Sequence, residues 1–353
     1  MRVRSSPFVF ALAISAVLLL VGCLRTQPTG VNNGNKIGLP PLSLISTAQN
    51  FPPATLTNDF NGNFLSAHAD HPLLTVLDGQ ALGRTSTTDI AIPGESDPWG
   101  GAISSVGRGG QGYLLASDGA FFTLDGNQDI VVPLARVPAT STLSAWVARR
   151  DDQGVLWADT TGSVHQLNSQ GQEIKVIPTL GNEQVDSIAS GLDGKIFTLG
   201  SVNGTCTSVR ELTLSASESN LVLGSTPCLA HLSHDGQTLW VAGATSDGGT
   251  QVMALNTASL KPVLTTTEVH SFNALNIVVA DDNSRIALLS SGPNFSVAVA
   301  RLVDMQQNQL LGDDGVWRRM STAELAGASD GLFDDSGNLF LANPTEMVID
   351  TVY

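Results

Sequence analysis

The run SAHADHP, Ser66 to Pro72, sets two imidazoles three residues apart with a carboxylate between them. His68 and His71 at this spacing share a metal ion when a helix or tight turn aims both rings, but a dependable site needs three or four ligands. No third partner beyond the loop's Asp70 stands close by in the sequence, so a solvated loop is the favoured reading. Three acidic pairs, Asp151 with Asp152, Asp281 with Asp282 and Asp334 with Asp335, carry the oxygen atoms that a calcium ion takes. They recur beside glycine at one position of a repeated phrase, which argues for turn chemistry instead. A Gly-x-Ser-x-Gly elbow, a nucleotide loop, a Cys-x-x-Cys pair and a basic patch are all absent from the sequence, so no residue is assigned a catalytic role.

The elements that must position these groups are short. Beyond residue 41 the chain has almost no helical periodicity, and its apolar residues fall in alternating runs separated by Gly, Asp, Asn and Ser, the pattern of an all-β protein. One phrase returns along the body: DFNGNFLSA from Asp59, GGQGYLLAS from Gly109, DDQGVLWAD from Asp151, GLDGKIFTL from Gly191, SHDGQTLWVA from Ser233, ADDNSRIALL from Ala280 and FDDSGNLFLA from Phe333. Its glycine, or Ser284 in that place, recurs in steps of about 40 to 53 residues, close to the period of a four-stranded propeller blade. Asp and Asn bond the next amides, Gly supplies positive φ, and the apolar pair that follows begins a strand.

On these phrases the chain resembles the β-propeller superfamily, with YVTN and PD40-like repeats in SHDGQTLWVA and NHL or virginiamycin-lyase-like blades in DDQGVLWADTTGSVHQLNSQGQEI. The resemblance implies a seven-bladed β-propeller over residues 42–353, with six or eight blades as the alternatives. The run PLSLIST, Pro41 to Thr47, is expected to pair with the C-terminal EMVIDTVY and close the ring. The acidic turns would then lie on one face, and the opposite face is the usual ligand face of propellers. Two loops on that face put a Trp beside charges: Trp99 with Glu95 and Asp97, and Trp317 with Arg318 and Arg319. Such residues are typical interface anchors, which makes these six the candidate ligand-binding set. The alternative is that each Trp packs onto a neighbouring blade. Resemblance to lactonase-type propellers implies calcium in the central channel, with Asp186, Asn273, Asn276 and Glu324 as candidate metal ligands; without it, no cofactor is expected. The catalytic histidine pattern of virginiamycin lyases is not recognisable here.

The N-terminus reads separately. Arg2 and Arg4 precede an apolar run from Phe8 to Val21 of roughly 14 residues, short of the ~20 that span a bilayer and suited to a secretory signal. It ends in LVGC, Leu20 to Cys23, which resembles the lipobox of bacterial lipoproteins and implies cleavage after residue 22 and lipidation of Cys23. Residues 1–22 are thus the expected signal peptide, and 23–41 a lipidated cysteine and flexible tether. With Cys23 assigned to lipid, Cys206 and Cys228 remain as an expected disulfide. Losing Arg2 and Arg4 from the 17 basic residues leaves 15 against 32 acidic ones, a net charge of −17, so nucleic acid is excluded as a partner. Leu24 follows the lipobox cysteine where inner-membrane lipoproteins often carry Asp, which points to the outer membrane. The expected function is a membrane-anchored envelope platform that binds a protein or a glycan. The alternative is a divalent-ion-dependent propeller enzyme, lactonase-like or lyase-like, acting on a small substrate in the channel.

Overall fold

A computed structural model describes the chain from residue 44 to residue 352, apart from positions 50, 52, 59–63, 69, 78–85, 95–101, 105–110, 126–129, 150, 152–153, 179–182, 213–216, 265–266, 291–295, 302–316, 322–324, 326–327, 335 and 346–347. The expected signal peptide, the tether with Cys23, the acidic residues Asp152 and Asp335, and the candidates Glu95, Asp97, Trp99 and Glu324 lie outside the described residues.

Among the described residues the regular structure is antiparallel sheet with no α-helix. Four sheets are meanders taken in chain order: Pro53–Asn58, Phe64–His68, Leu73–Leu77 and Ser86–Ala91; Ala102–Ser104, Gln111–Leu115, Ala120–Asp125 and Ile130–Arg136; Leu143–Ala148, Val155–Asp159, Ser163–Leu167 and Glu173–Pro178; and Ala274–Val279, Arg285–Ser290, Ser296–Arg301 and Arg318–Ser321. A larger sheet runs from Gln184–Ser190 through Ile196–Val202 and Thr205–Glu211 to the long strand Ser217–Leu232, then Thr238–Ala244, Thr250–Asn256 and Lys261–Pro262, with Thr267–Val269 also on Thr250–Asn256. The last sheet joins the two ends of the body: Asp330–Phe333, Leu339–Asn343, Val348–Val352 and then Leu44–Ala48. Leu44 pairs with Val352 and Ala48 with Val348, so the N-terminal run lies on the final strand as its residues led us to expect.

First strands lie against first strands of neighbouring sheets: Pro53–Asn58 against Ala102–Ser104, Leu143–Ala148 against Gln184–Ser190, Ala274–Val279 against Asp330–Phe333, and Asp330–Phe333 against Pro53–Asn58. This is the arrangement of a β-propeller. Burial follows from it. Second strands such as VLWAD, Val155–Asp159, and LFLAN, Leu339–Asn343, are buried along their whole length, because a neighbouring sheet covers each face. The outer strand Glu173–Pro178 has almost every residue exposed. Trp157 and Trp240, at the recurring aromatic position, are among the largest fully buried side chains.

The recurring phrase makes the turn that joins first to second strands. Gly194, Gly236 and Gly337 take positive φ there, each closing a bond to the residue three before it. In ADDNSRIALL the left-handed residue is Asn283, at φ 58°, and not Ser284; asparagine adopts this region at the lowest cost after glycine. The aspartates use their carboxylates as the sequence suggests. Asp193, Asp235, Asp282 and Asp334 each accept the amide two residues on, at 2.9–3.2 Å. Cys206 and Cys228 form a disulfide between the neighbouring strands Thr205–Glu211 and Ser217–Leu232.

Candidate functional site

First strands of adjacent sheets share no backbone ladder, so their polar contacts come from side chains. Ser187 accepts the Ala230 amide at 3.2 Å, and Asp330 accepts the Leu56 amide at 2.9 Å. Between these strands lies a cavity of about 240 Å³. Its walls mix apolar residues such as Ile188, Ile277 and Leu332 with the polar side chains of Thr57, Ser190, His231, His234, Asn276, Asp281 and Asp330.

Asp330 is the chemical centre of one end. It opens the strand Asp330–Phe333, and its two oxygens are held by different sheets: Oδ2 by the Leu56 amide, and Oδ1 by Asn276 Nδ2 at 2.7 Å. Asn276 is itself oriented, because its Oδ1 accepts the Ile277 amide at 2.7 Å. Burial pushes the Asp330 carboxyl up to about 6, against the lowering by the Leu56 and Gly331 amides and by Asn276. The channel therefore offers a carboxyl that changes charge near neutral pH. Five residues beyond Asn276, on the order of 16 Å along the strand, stand Asp281 and His234, with Nδ1 3.9 Å from Oδ1.

Among the described residues, one of the proposed metal ligands reaches this place. Asn276 lines the cavity, while Asn273 is exposed on the turn ahead of its strand. Asp186 sits at an irregularity between Val185 and Ser187, accepts Gln184 Nε2 at 3.1 Å, and is pushed upward by burial. It is not among the cavity-lining residues, so the structure does not bring it to Asn276. Asp330, which does meet Asn276, was missed because an Asp-Gly pair before an apolar run has the composition of a turn. The available signal was its place at the start of a first strand.

Trp317 also needs correcting as a surface anchor. It is 6% exposed and packs in the cluster that includes Trp240, Phe272 and Ile286, so its indole joins one sheet to the next. Arg318 and Arg319 follow on the strand Arg318–Ser321, and Arg319 Nη1 donates to the His270 carbonyl at 2.8 Å. The loop SAHADHP is not uniformly solvated either. His68 is 2% exposed, bonds Thr75 Oγ1 at 2.6 Å and stands edge-on to Phe51, whereas His71 bonds Asp70. The Thr75 hydroxyl donates to Asp89 Oδ1 at 2.6 Å, which leaves its oxygen to accept from His68 Nε2.

The fold has counterparts among solved structures. Virginiamycin B lyase from Staphylococcus aureus matches with a TM-score of 0.62 at 10% identity, covering 88% of this chain and 99% of its own. A streptogramin B lyase matches with a TM-score of 0.63 at 12% identity, over 88% of this chain and 97% of that one. U3-55K matches equally well, with a TM-score of 0.62 at 13% identity over 88% and 98%. At such identities the likeness shows a β-propeller and no activity. No family model matches the chain, and no curated protein matches its sequence.

Proposed function

We propose that this chain is a lipid-anchored envelope protein whose seven-bladed propeller binds a protein or glycan partner at the channel mouth. The blade count rests on the large sheet serving as two blades. The strand Ser217–Leu232 pairs through its first half with Thr205–Glu211 and through its second half with Thr238–Ala244. Its second half also lies against the first strands on either side. The observation that carries the binding reading is the channel itself: a half-open concave site of mixed polar and apolar lining with a few oriented polar groups, the setting in which ligands are bound. Immobilised full chain is expected to retain a protein or glycan saturably from detergent-solubilised envelopes. A channel narrowed by Ala230→Phe should lose that retention. Equal retention by both would move the site off the channel, and no saturable retention would remove the reading.

A lyase-like enzyme is the second reading, favoured by Asp330, a channel carboxyl poised near neutral pH, and by the two lyases among the structural relatives. Quinupristin, which was bound to a catalytically inactive variant of the staphylococcal enzyme, is the direct probe. A new species by chromatography and fragment spectrum on incubation with the full chain supports an enzyme, since elimination within a ring changes structure without changing mass, and an unaltered compound counts against this lyase. Calcium fits the channel poorly. Asp330 and Asn276 already direct oxygens to backbone amides, and a calcium ion needs six to eight.

Anchoring is proposed through Cys23 after removal of residues 1–22, with the outer membrane as destination. Each buried CH₂ of an acyl chain contributes about 0.8 kcal/mol of membrane affinity, and several chains make a stable anchor. Cells fed a fatty-acid analogue should label the wild-type chain and leave Cys23→Ser unlabelled. Label persisting on the variant would place the lipid elsewhere.

A further inference from the structure

Away from the channel, on the outer strands of the large sheet, three side chains of different chemistry converge. Asp247 lies in the turn after Thr238–Ala244, Glu268 on the strand Thr267–Val269, and His270 one residue past its end. One ligand-type atom from each falls within 4.8 Å of the other two. His270 Nδ1 is 3.1 Å from Glu268 Oε1 and 3.8 Å from Asp247 Oδ2. A tetrahedral ion with bonds of about 2.0–2.1 Å sets its ligand atoms about 3.3 Å apart, so these separations bracket what one ion requires.

Two further features support the cluster. The Thr245 hydroxyl donates to Asp247 and fixes its carboxylate in the turn beside His270. Independently, Gly249 has a backbone outside the left-handed region, so its conformation does not call for glycine. A Cβ there would come within 2.9 Å of Glu268 Oε1 and 2.8 Å of Thr245 Oγ1. The missing side chain leaves the space in which Glu268 meets the turn.

We propose that Asp247, Glu268 and His270 bind a divalent transition-metal ion of the zinc class, each giving one ligand atom. The imidazole decides the class. A nitrogen donor beside two carboxylates suits zinc and its neighbours, whereas calcium and magnesium take oxygen sets. On binding, the ion takes the Nδ1 lone pair, the ring proton sits on Nε2, and water fills the fourth position. The ion fastens Thr267–Val269, which among the described residues pairs only with Thr250–Asn256, to the turn Thr245–Gly249.

The test uses the full chain without a histidine tag, purified in detergent, stripped with chelator and titrated with Co²⁺ and then Zn²⁺. One equivalent of Co²⁺ should give the visible bands of a four-coordinate site, and Zn²⁺ should displace it. His270→Ala and Glu268→Gln should each weaken binding at least tenfold, and saturating Zn²⁺ should raise Tm by a few degrees in the wild type and not in these two variants. His234→Ala, which removes the imidazole beside Asp281, should bind as the wild type does. The absence of a stoichiometric ion, or unchanged binding by His270→Ala, would overturn the site. A loss caused by His234→Ala with His270→Ala intact would do the same, by placing the ion near the channel.

Discussion

Deleting residues 41–47 is expected to lower the melting temperature by on the order of 10 °C. The deletion removes most of the strand that lies on Val348–Val352, and with it the backbone bonds that cover an otherwise open edge. Leu44 also packs on the cluster holding Val297, Leu339, Leu341 and Val352, so those apolar side chains lose their lid. A net loss of roughly 5 kcal/mol corresponds to about 10 °C in a chain of this size. Removing residues 28–34 instead, from the expected tether, should leave the melt unchanged. Equal melts for the two deletions would mean that the pairing of Leu44–Ala48 does not hold the ring.

Asp330→Ala is the second. It leaves the Leu56 amide and the Asn276 side chain without the carboxylate they bond, at a cost of about 2 kcal/mol above pH 6. The pH dependence is more telling. A carboxyl raised from 3.8 to about 6 by folding holds its proton more tightly in the native state. Its contribution is therefore greatest below about pH 4 and declines as the pH climbs to about 6, by up to about 3 kcal/mol. The gap between wild type and Asp330→Ala in urea denaturation should then be widest near pH 4 and narrow to a plateau above pH 6. Carboxylates held low by turn bonds, such as Asp118, Asp159 and Asp282, act oppositely but equally in both proteins and cancel. A gap that stays constant from pH 4 to 7 would show that Asp330 does not titrate in the channel as described.

Much of the fold was legible because its signals are local. A turn that needs positive φ selects Gly194 or Gly236, and the aspartate beside it must satisfy an amide, so the phrase records the turn wherever it recurs. The closing strand was legible from the shortage of strands after the last phrase, and the pair Cys206 and Cys228 from parity. The site was legible only in part. Asn276 stood out as an amide in an apolar run, but Asp330, its partner, is 54 residues away and is defined by a contact between sheets. Trp317 misled for the same reason. Its neighbours Arg318 and Arg319 suggest a wet surface, while the Trp240 that shares its buried cluster comes from an adjacent sheet. Asp247, Glu268 and His270 are likewise joined only by the pairing of Gln251 with Glu268, a register no spacing rule announces.

The long strand Ser217–Leu232 has a consequence for how the ring breathes. Elsewhere in the ring, sheet passes to sheet through a connecting segment, and such joints are where a protein opens locally at little cost. Here one unbroken run of backbone belongs to both neighbours. It bends at Gly224, where a Cβ would meet the Ala244 carbonyl at 2.1 Å, and Cys228 bonds it back to Cys206. Neither half can swing or fray without dragging the other. This sector behaves as a single rigid block in thermal motion, and any widening of the channel falls to the joints on the far side of the ring.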